Sequence, residues 1–129
     1  MKVDELMLGN WVRIEGKPFQ ITEIHSEGIP SPAGTHLYEE EDIYPIELTK
    51  DILAKNGMEI QYHYNFMRFE RLYNYACKFS MKICKGGWGV YLNEPDDEQI
   101  HDFRDFRCAY VHELQNFLKI KKIDFKIAL

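Results

Sequence analysis

The sequence predicts an α+β fold: a small N-terminal, barrel-like β unit of the SH3-like kind, a short linking helix, and a mostly antiparallel sheet packed by a C-terminal helix. Three patterns predict it. Apolar and polar residues alternate from Cys77 to Cys84, as they do in a strand with one buried face. Apolar residues recur at helical spacing in residues 111–118. Residues 10–25 contain two short β-type runs around a glycine-containing turn.

The length and composition indicate one ordinary domain. The chain has 129 residues, of which 45% are hydrophobic and 14% aromatic, which is enough to form a buried core. We therefore predict a single domain over residues 1–129. Two subdomains, a barrel-like unit at 1–48 and a helix, sheet and C-terminal helix at 49–129, are the alternative.

The first half of the chain is assigned from its glycines, prolines and β-branched runs. In chain order the assignments are a strand at Asn10–Ile14, a turn at Glu15–Pro18, a strand at Phe19–His25, a loop at Ser26–Gly34 and an extended segment at His36–Leu48. The acidic run Glu39–Asp42 is placed at a turn or on a sheet edge. Thr49 is a good N-cap and Asn56-Gly57 a good stop, so they predict a helix of about two turns.

The second half begins with a block of strands from Met58 to Asn93. The stretch before Cys77 fits both helical and strand spacing, and we interpret it as strand with a break near Asn65. The remaining assignments are a hairpin turn at Gly86-Gly87, an acidic loop at Glu94–Gln99, a strand or extended approach at Ile100–Arg107, a helix at Ala109–Lys119 and a tail at Asp124–Leu129 that fits a short strand.

The helix near the end of the chain has the clearest core pattern. Val111, Leu114 and Leu118 follow i, i+3, i+7 spacing, which predicts that this stripe is buried against the second sheet. Tyr110 and Phe117 flank it. Lysines at 119, 121 and 122 suit the C-terminal end of the helix, where positive charge opposes the helix dipole.

Three short motifs resemble one protein family. They are Gly9-Asn10-Trp11-Val12, then Ile43-Tyr44-Pro45-Ile46-Glu47-Leu48-Thr49 with Ile52-Leu53 and Gly57, and finally Tyr110-Val111-His112-Glu113-Leu114-Gln115-Asn116. Their order and spacing resemble a family of short uncharacterised proteins from gut bacteria, their phages and mobile elements. The resemblance implies an intracellular accessory protein related to phages or mobile elements. It brings no catalytic or binding residues with it.

Charge and cysteine content restrict the classes of function. A net charge of −5 disfavours a general nucleic-acid or anionic-membrane binder and leaves a local basic patch open. No signal-peptide pattern and no apolar stretch of about 20 residues is found, so we predict a cytoplasmic protein without membrane association. Three cysteines without paired spacing indicate reduced thiols.

Candidate chemical sites are few. His112 and Glu113 invite a general acid–base role, but hydrogen bonding of His112, Gln115 and Asn116 to neighbouring strands or loops is the preferred interpretation. A zinc site from Cys77, Cys84, Cys108, His101 and His112 lacks the usual ligand spacing. The acidic runs Glu39–Asp42 and Asp96–Glu98 fit no EF-hand pattern. No phosphate-binding or nucleophile motif is present. We therefore predict no cofactor, no metal and no enzymatic activity.

The predicted function is a non-enzymatic interaction module that binds a protein partner or a second copy of itself. Four tyrosines and two lysines form its candidate interaction surface: Tyr62, Tyr64, Tyr73, Tyr75, Lys78 and Lys82. Tyrosine is favoured at protein interfaces. Tyr73, Tyr75 and Tyr91, together with Lys78, Lys82 and Lys85, also suit single-stranded nucleic acid, so a nucleic-acid-associated regulator is the alternative.

Overall fold

The computed structural model describes residues 1–57, 59–63, 66–74, 77–84, 87–93, 100–123 and 125–129. Between residues 58 and 107 it describes the backbone and, of the side chains, that of Trp88. The helices are α1 (Lys50–Lys55) and α2 (Val111–Ile120), with 3-10 helices at Val3–Glu5 and Glu40–Asp42. The strands are β1 (Trp11–Ile14), β2 (Lys17–Gln20), β3 (Ile29–Pro30), β4 (Leu37–Tyr38), β5 (Ile43–Tyr44), β6 (Glu59–His63), β7 (Phe66–Asn74), β8 (Cys77–Cys84), β9 (Gly87–Asn93) and β10 (Ile100–Cys108). The predicted α+β class is confirmed.

The first hairpin is tighter than the sequence predicts. Glu15 and Gly16 both have positive φ, 53° and 75°, which is the conformation of a two-residue hairpin turn. Ile14 therefore pairs directly with Lys17, and β2 occupies Lys17–Gln20. The prediction of a second strand at Phe19–His25 is wrong in its bounds, because this turn brings the chain into pairing two residues earlier.

The strand β2 tolerates a proline because it lies at the edge of its sheet. The strand order is β2-β1-β5, with both pairings antiparallel. Pro18 pairs opposite Arg13, between the flanking pairs that include Ile14 and Val12. Alternate pairs in an antiparallel ladder exchange no hydrogen bonds, so the missing N–H of Pro18 costs no ladder bond here.

The region between β2 and α1 is more structured than predicted. The predicted loop Ser26–Gly34 contains β3, which pairs with β4 in a separate two-stranded ladder. The predicted extended segment is interrupted at the acidic run, where the N–H of Glu39 donates to Asp42 Oδ2 (3.0 Å) and closes a 3-10 turn. The SH3-like barrel is not confirmed, since the described strands of this half form a three-stranded sheet and a two-stranded ladder.

The second sheet is an antiparallel meander of strand order β10-β9-β8-β7-β6. β6 ends at His63, which pairs with Phe66 at the start of β7, whereas the residues of the predicted break near Asn65 lie outside the described residues. Cys84 pairs with Gly87. Gly87 therefore begins β9, so it does not belong to the predicted Gly86-Gly87 turn, and residues 85 and 86 lie outside the described residues.

The end of the chain agrees with the sequence in its strand and helix and differs in its tail. The predicted strand or extended approach at Ile100–Arg107 is β10, and the predicted helix is α2. Residues 125–129 form no strand, so that prediction is wrong for the described part of the tail. The predicted loop Glu94–Gln99 lies outside the described residues.

Two apolar clusters form the described core. One contains Val12, Ile14, Ile21, Ile29 and Ile43 from the N-terminal strands and loops. The other collects residues from the segment between β5 and α1, from α1, α2, β9 and β10, and from the C-terminal segment: Ile46, Leu48, Leu53, Trp88, Cys108, Val111, Leu114, Phe117, Leu118, Ile123 and Ile127. The predicted stripe of α2 is therefore confirmed as buried, and it packs with residues of the second sheet. The division into one domain or two stays a prediction.

The helix α1 has the predicted cap and anchor. Thr49 Oγ1 accepts a hydrogen bond from the N–H of Ile52 (3.2 Å), which satisfies one of the free donors at the helix start. Leu53 is fully buried in the larger cluster, and Gly57 has φ +83° just after the helix. A helix this short depends on such packing for its stability.

Candidate interaction surface

The three motifs of the sequence meet in one junction. The segment that contains Ile46 and Leu48 runs beside the start of α2. Leu48 N–H donates to the carbonyl of Ala109 (2.9 Å), and Val111 N–H donates to the carbonyl of Ile46 (2.8 Å). Trp88 Nε1 adds a bond from β9 to the carbonyl of Leu48 (2.8 Å). The middle and last motifs are thus joined by backbone pairing.

The first motif is held on α2 by two side-chain amides. Gln115 Oε1 accepts the N–H of Trp11 (2.8 Å), and Gln115 Nε2 donates to the carbonyl of Gly9 (3.0 Å). Asn116 Oδ1 accepts a hydrogen bond from Asn10 Nδ2 (2.8 Å). The predicted hydrogen bonding of Gln115 and Asn116 to neighbouring segments is confirmed. These motif residues join sequence positions more than a hundred residues apart, so they position the chain.

Glu113 closes the N-terminal end of α2. Its Oε1 accepts the N–H groups of Ala109 (3.0 Å) and Tyr110 (2.9 Å). This is the reciprocal half of a capping box, which satisfies donors that a helix start leaves free. The carboxylate oxygen that would orient a catalytic histidine is therefore engaged with the backbone.

His112 is a buried side chain held by packing. It is 4% exposed, and its ring is stacked with that of Tyr110, with 6.0 Å between centroids and 12° between planes. Its Nδ1 has no hydrogen-bond partner among the described residues. The predicted hydrogen bonding of His112 is therefore wrong at Nδ1, which is buried without a hydrogen bond to any described residue.

Burial lowers the pKa of His112, against the opposing attraction of the Glu113 and Glu5 carboxylates. A lowered pKa means that the folded protein keeps this imidazole neutral to lower pH than the unfolded chain does. Below about pH 6.5 the unfolded chain therefore binds the proton more readily, and stability falls as the pH is lowered.

We expect the pH dependence of stability to weaken when His112 is replaced by phenylalanine, which keeps the stacked ring and removes the titrating group. The free energy of unfolding, measured by urea denaturation between about pH 5 and 7.5, should fall less on acidification than in the wild type. The control is His25→Phe, because His25 is exposed. An unchanged slope in His112→Phe would show that His112 does not contribute to the acid sensitivity.

The zinc site considered for the cysteines and histidines gains no support from the described residues. Among them, no group of three or more His, Cys, Asp or Glu side chains is placed to hold a metal ion. Cys108 is fully buried in the larger cluster, and burial, followed by the Glu113 charge, raises the pKa of its thiol. A protonated, buried thiol is a poor metal ligand and a poor nucleophile. The side chains of Cys77, Cys84 and His101 lie outside the description.

The acidic run Glu39–Asp42 contributes to the fold. Besides its 3-10 turn, it holds the start of the chain, since Val3 N–H donates to Glu40 Oε1 (3.0 Å) and the amino group of Met1 donates to the Glu40 carbonyl (2.8 Å). The other acidic run, Asp96–Glu98, lies outside the described residues.

The predicted tyrosine and lysine surface falls on three adjacent strands. Tyr62 lies on β6, Tyr73 on β7, and Lys78 and Lys82 on β8, whereas Tyr64 and Tyr75 lie outside the described residues. The side chains of this set lie outside the described part of the structure. Whether they form one surface therefore stays a prediction.

The register places the members of that set in two rows. Lys82 pairs opposite Arg68, and Arg68 in turn opposite Gln61, the neighbour of Tyr62. Lys78 pairs opposite Leu72, next to a register shift between Leu72 and Asn74. Lys78 and Lys82 are about 13 Å apart along the strand. The backbone thus brings Tyr62 near the Lys82 row and Tyr73 near the Lys78 row.

A second surface surrounds the C-terminal end of α2. Ile120 is 68% exposed and Leu8 is 55% exposed, and Lys119 Nζ donates to the carbonyl of Leu8 (3.4 Å), so the two segments are adjacent. Four exposed lysines lie at the end of α2 and in the segment that follows it. We define the α2 C-terminal surface as Leu8, Lys119, Ile120, Lys121, Lys122 and Lys126. It combines exposed aliphatic side chains with positive charge on a chain of net charge −5.

The end of α2 fixes the direction of this surface. Ile123 N–H donates to the carbonyl of Leu118 (2.9 Å), and Lys122 N–H donates to that of Lys119 (3.2 Å). Lys122 adopts φ 57°, the left-handed conformation that usually falls to glycine at this position. The chain therefore reverses direction after α2, and Ile123 is buried in the larger cluster.

Sequence reasoning missed this surface although signals were present. Ile120 lies nine positions after Val111, which places it on the opposite side of the helix from the core stripe. Residues 119–126 hold four lysines and one aspartate in an acidic chain. The exposure of Leu8 had no such signal, because it depends on how Gln115 and Asn116 hold the first motif.

Comparisons add no relative. No protein-family model, no curated protein and no solved structure matches this chain. The resemblance to the family of gut bacteria and their phages stays a prediction. Among the residues that the structure describes, no helix has the length and apolar character that crossing a membrane requires.

Proposed function

We propose that this protein is a non-enzymatic interaction module that binds a protein partner through the α2 C-terminal surface. The observation that carries the proposal is the pair of exposed aliphatic side chains, Ile120 and Leu8, on adjoining segments. Single exposed apolar residues are common, whereas neighbouring ones beside apolar clefts mark contact surfaces. One such cleft, of about 580 Å³, is lined by Ile120, Phe117 and His112.

The use of the polar motif residues supports a binding function over a catalytic one. Glu113, Gln115, Asn116 and Asn10 hold the junction through hydrogen bonds. These polar groups are used in hydrogen bonds within the protein, and His112 is buried beside them. The cytoplasmic location and the accessory role related to phages or mobile elements are proposals from the sequence.

A nucleic-acid-associated regulator is the second candidate. The observation that favours it is the pairing of Lys82 on β8 with Arg68 on β7, which places two cationic residues at one register position. Lys78 lies four residues along the same strand. Basic residues next to tyrosines suit single strands, where stacking and charge act together.

The test compares an Ile120→Lys variant with the wild type. Each protein is used as bait in an extract of its source organism, and bound proteins are cross-linked and quantified by mass spectrometry. We expect the Ile120→Lys variant to capture at least about tenfold less of the specific partner or second copy than the wild type does, because the substitution puts a charge at the centre of the contact.

The matched control is Tyr44→Lys, since Tyr44 is 59% exposed and lies on β5. Circular dichroism melting checks that both variants are folded. A partner retained equally by Ile120→Lys and lost by Tyr44→Lys would move the interface away from α2 and overturn the proposal.

A further inference from the structure

A cleft of about 350 Å³ adjoins the exposed side chain of Leu8. It lies between the first motif, the last turn of α2 and the segment that follows it. We call it the lysine cleft, and its lining includes Leu8, Leu118, Lys119, Ile123, Phe125 and Lys126. Its volume is at the lower end of the range of ligand pockets, about 300–1,000 Å³, which suits a single large side chain.

The cleft has an apolar floor and a basic rim. Leu118 and Ile123 are buried at 2% and 6% exposure, and Phe125 is partly buried beside them. Lys119 and Lys126 are exposed and are the ionisable residues among the described lining. Asp124 lies outside the described residues. A ligand in this cleft would therefore contact apolar side chains at the floor and positive charge at the rim.

The uncharged polar residues of the lining are already engaged. Gln115 is bonded to the backbone of the first motif, and Asn10 Nδ2 donates to Asn116. Gln20 Nε2 donates to the carbonyl of Gly9 (3.2 Å). The two ammonium groups are therefore the strongest polar features that a ligand in this cleft would meet.

We infer that the lysine cleft binds an acidic segment of a partner protein, with one large apolar side chain in the cleft and carboxylates beside Lys119 and Lys126. The inference rests on the proposed function and names its partner chemistry. The net charge of −5 repels an acidic partner from the rest of the surface, so charge steers the segment to this basic site.

The experiment measures binding of fluorescent synthetic peptides to the full chain by anisotropy. One peptide of about ten residues carries glutamates around a central phenylalanine, and a matched peptide has alanine in its place. We expect the phenylalanine peptide to bind at least about fivefold more tightly than the alanine peptide, and its affinity to fall with added salt.

Charge-reversal variants locate the site. The double variant Lys119→Glu/Lys126→Glu should weaken binding of the phenylalanine peptide by at least about tenfold, since two attractions become repulsions. The matched control is Lys17→Glu, an exposed lysine on β2, which should leave the affinity unchanged. If the double variant fails to fold, Lys126→Glu alone should weaken binding in the same direction.

Three outcomes would overturn the inference: equal affinity for both peptides, binding that Lys126→Glu does not weaken, or tighter binding of a single-stranded oligothymidylate at the same lysines. The last outcome would favour the nucleic-acid candidate. A partner that Ile120→Lys loses, combined with no peptide binding, would leave the proposed function standing and remove the acidic segment as its ligand.

Discussion

Replacing Leu114 by alanine should lower the free energy of unfolding by about 2–5 kcal/mol. Leu114 is fully buried near the middle of α2, in the cluster that also holds Leu53 of α1, Trp88 of β9 and Cys108 of β10. Truncation removes apolar contacts with several elements at once and leaves a cavity that a helix in close contact cannot readily fill. The loss is large because native stabilities are only about 5–15 kcal/mol.

Urea denaturation followed by tryptophan fluorescence measures this loss directly. Trp88 belongs to the affected cluster and Trp11 packs against it, so both tryptophans report on the core in question. Ile120→Ala on the same helix is the matched control, and at 68% exposure it should change stability by no more than about 0.5 kcal/mol. Similar losses for Leu114→Ala and Ile120→Ala would contradict the burial of the stripe.

Local patterns predicted much of the fold because they are set by nearby residues. The alternation from Cys77 to Cys84 gives β8, the spacing of Val111 and Leu114 gives the buried face of α2, and Thr49 caps α1. The bounds of the second strand were predicted wrongly because one turn sets the pairing of the strands on either side of it. The positive φ of Glu15 shortens the first hairpin to two turn residues, and no propensity of Glu15 announces it.

The candidate surface was harder to predict because it depends on distant contacts. The sequence predicted that Gln115 and Asn116 bond to neighbouring strands or loops, but it did not identify the first motif as their partner. Their bonds set the position of Leu8, and so create both the exposed aliphatic pair and one wall of the lysine cleft. The lysines of 119–126 were visible in the sequence, but their neighbours were not.

The junction between the first motif and α2 gives the second large expected loss in the free energy of unfolding. Asn10 is 2% exposed, its Oδ1 accepts the N–H of Met7 (2.9 Å), and its Nδ2 donates to Asn116 Oδ1 (2.8 Å). Asn116 Nδ2 donates in turn to the carbonyl of Glu5 (3.0 Å). Asn116→Ala leaves the Asn10 donor buried without its acceptor, which should cost about 1–3 kcal/mol.

A double-mutant cycle of Asn10→Ala, Asn116→Ala and the double variant separates this bond from general disruption. Because each single change already breaks the Asn10–Asn116 bond, the double variant should be more stable than the sum of the two losses predicts, by about 0.5–3 kcal/mol. The control is Gln20→Ala. The exposed amide of Gln20 donates to the Gly9 carbonyl (3.2 Å), and its removal should change the free energy of unfolding by no more than about 0.5 kcal/mol. Additive losses, agreeing within about 0.5 kcal/mol, would mean that the Asn10 and Asn116 amides do not interact, and that the bonds of Gln115 and packing hold the first motif on α2. Coupling of the expected size would show that the Asn10–Asn116 bond helps to fix the first motif on α2, and with it the position of Leu8 in the proposed interface.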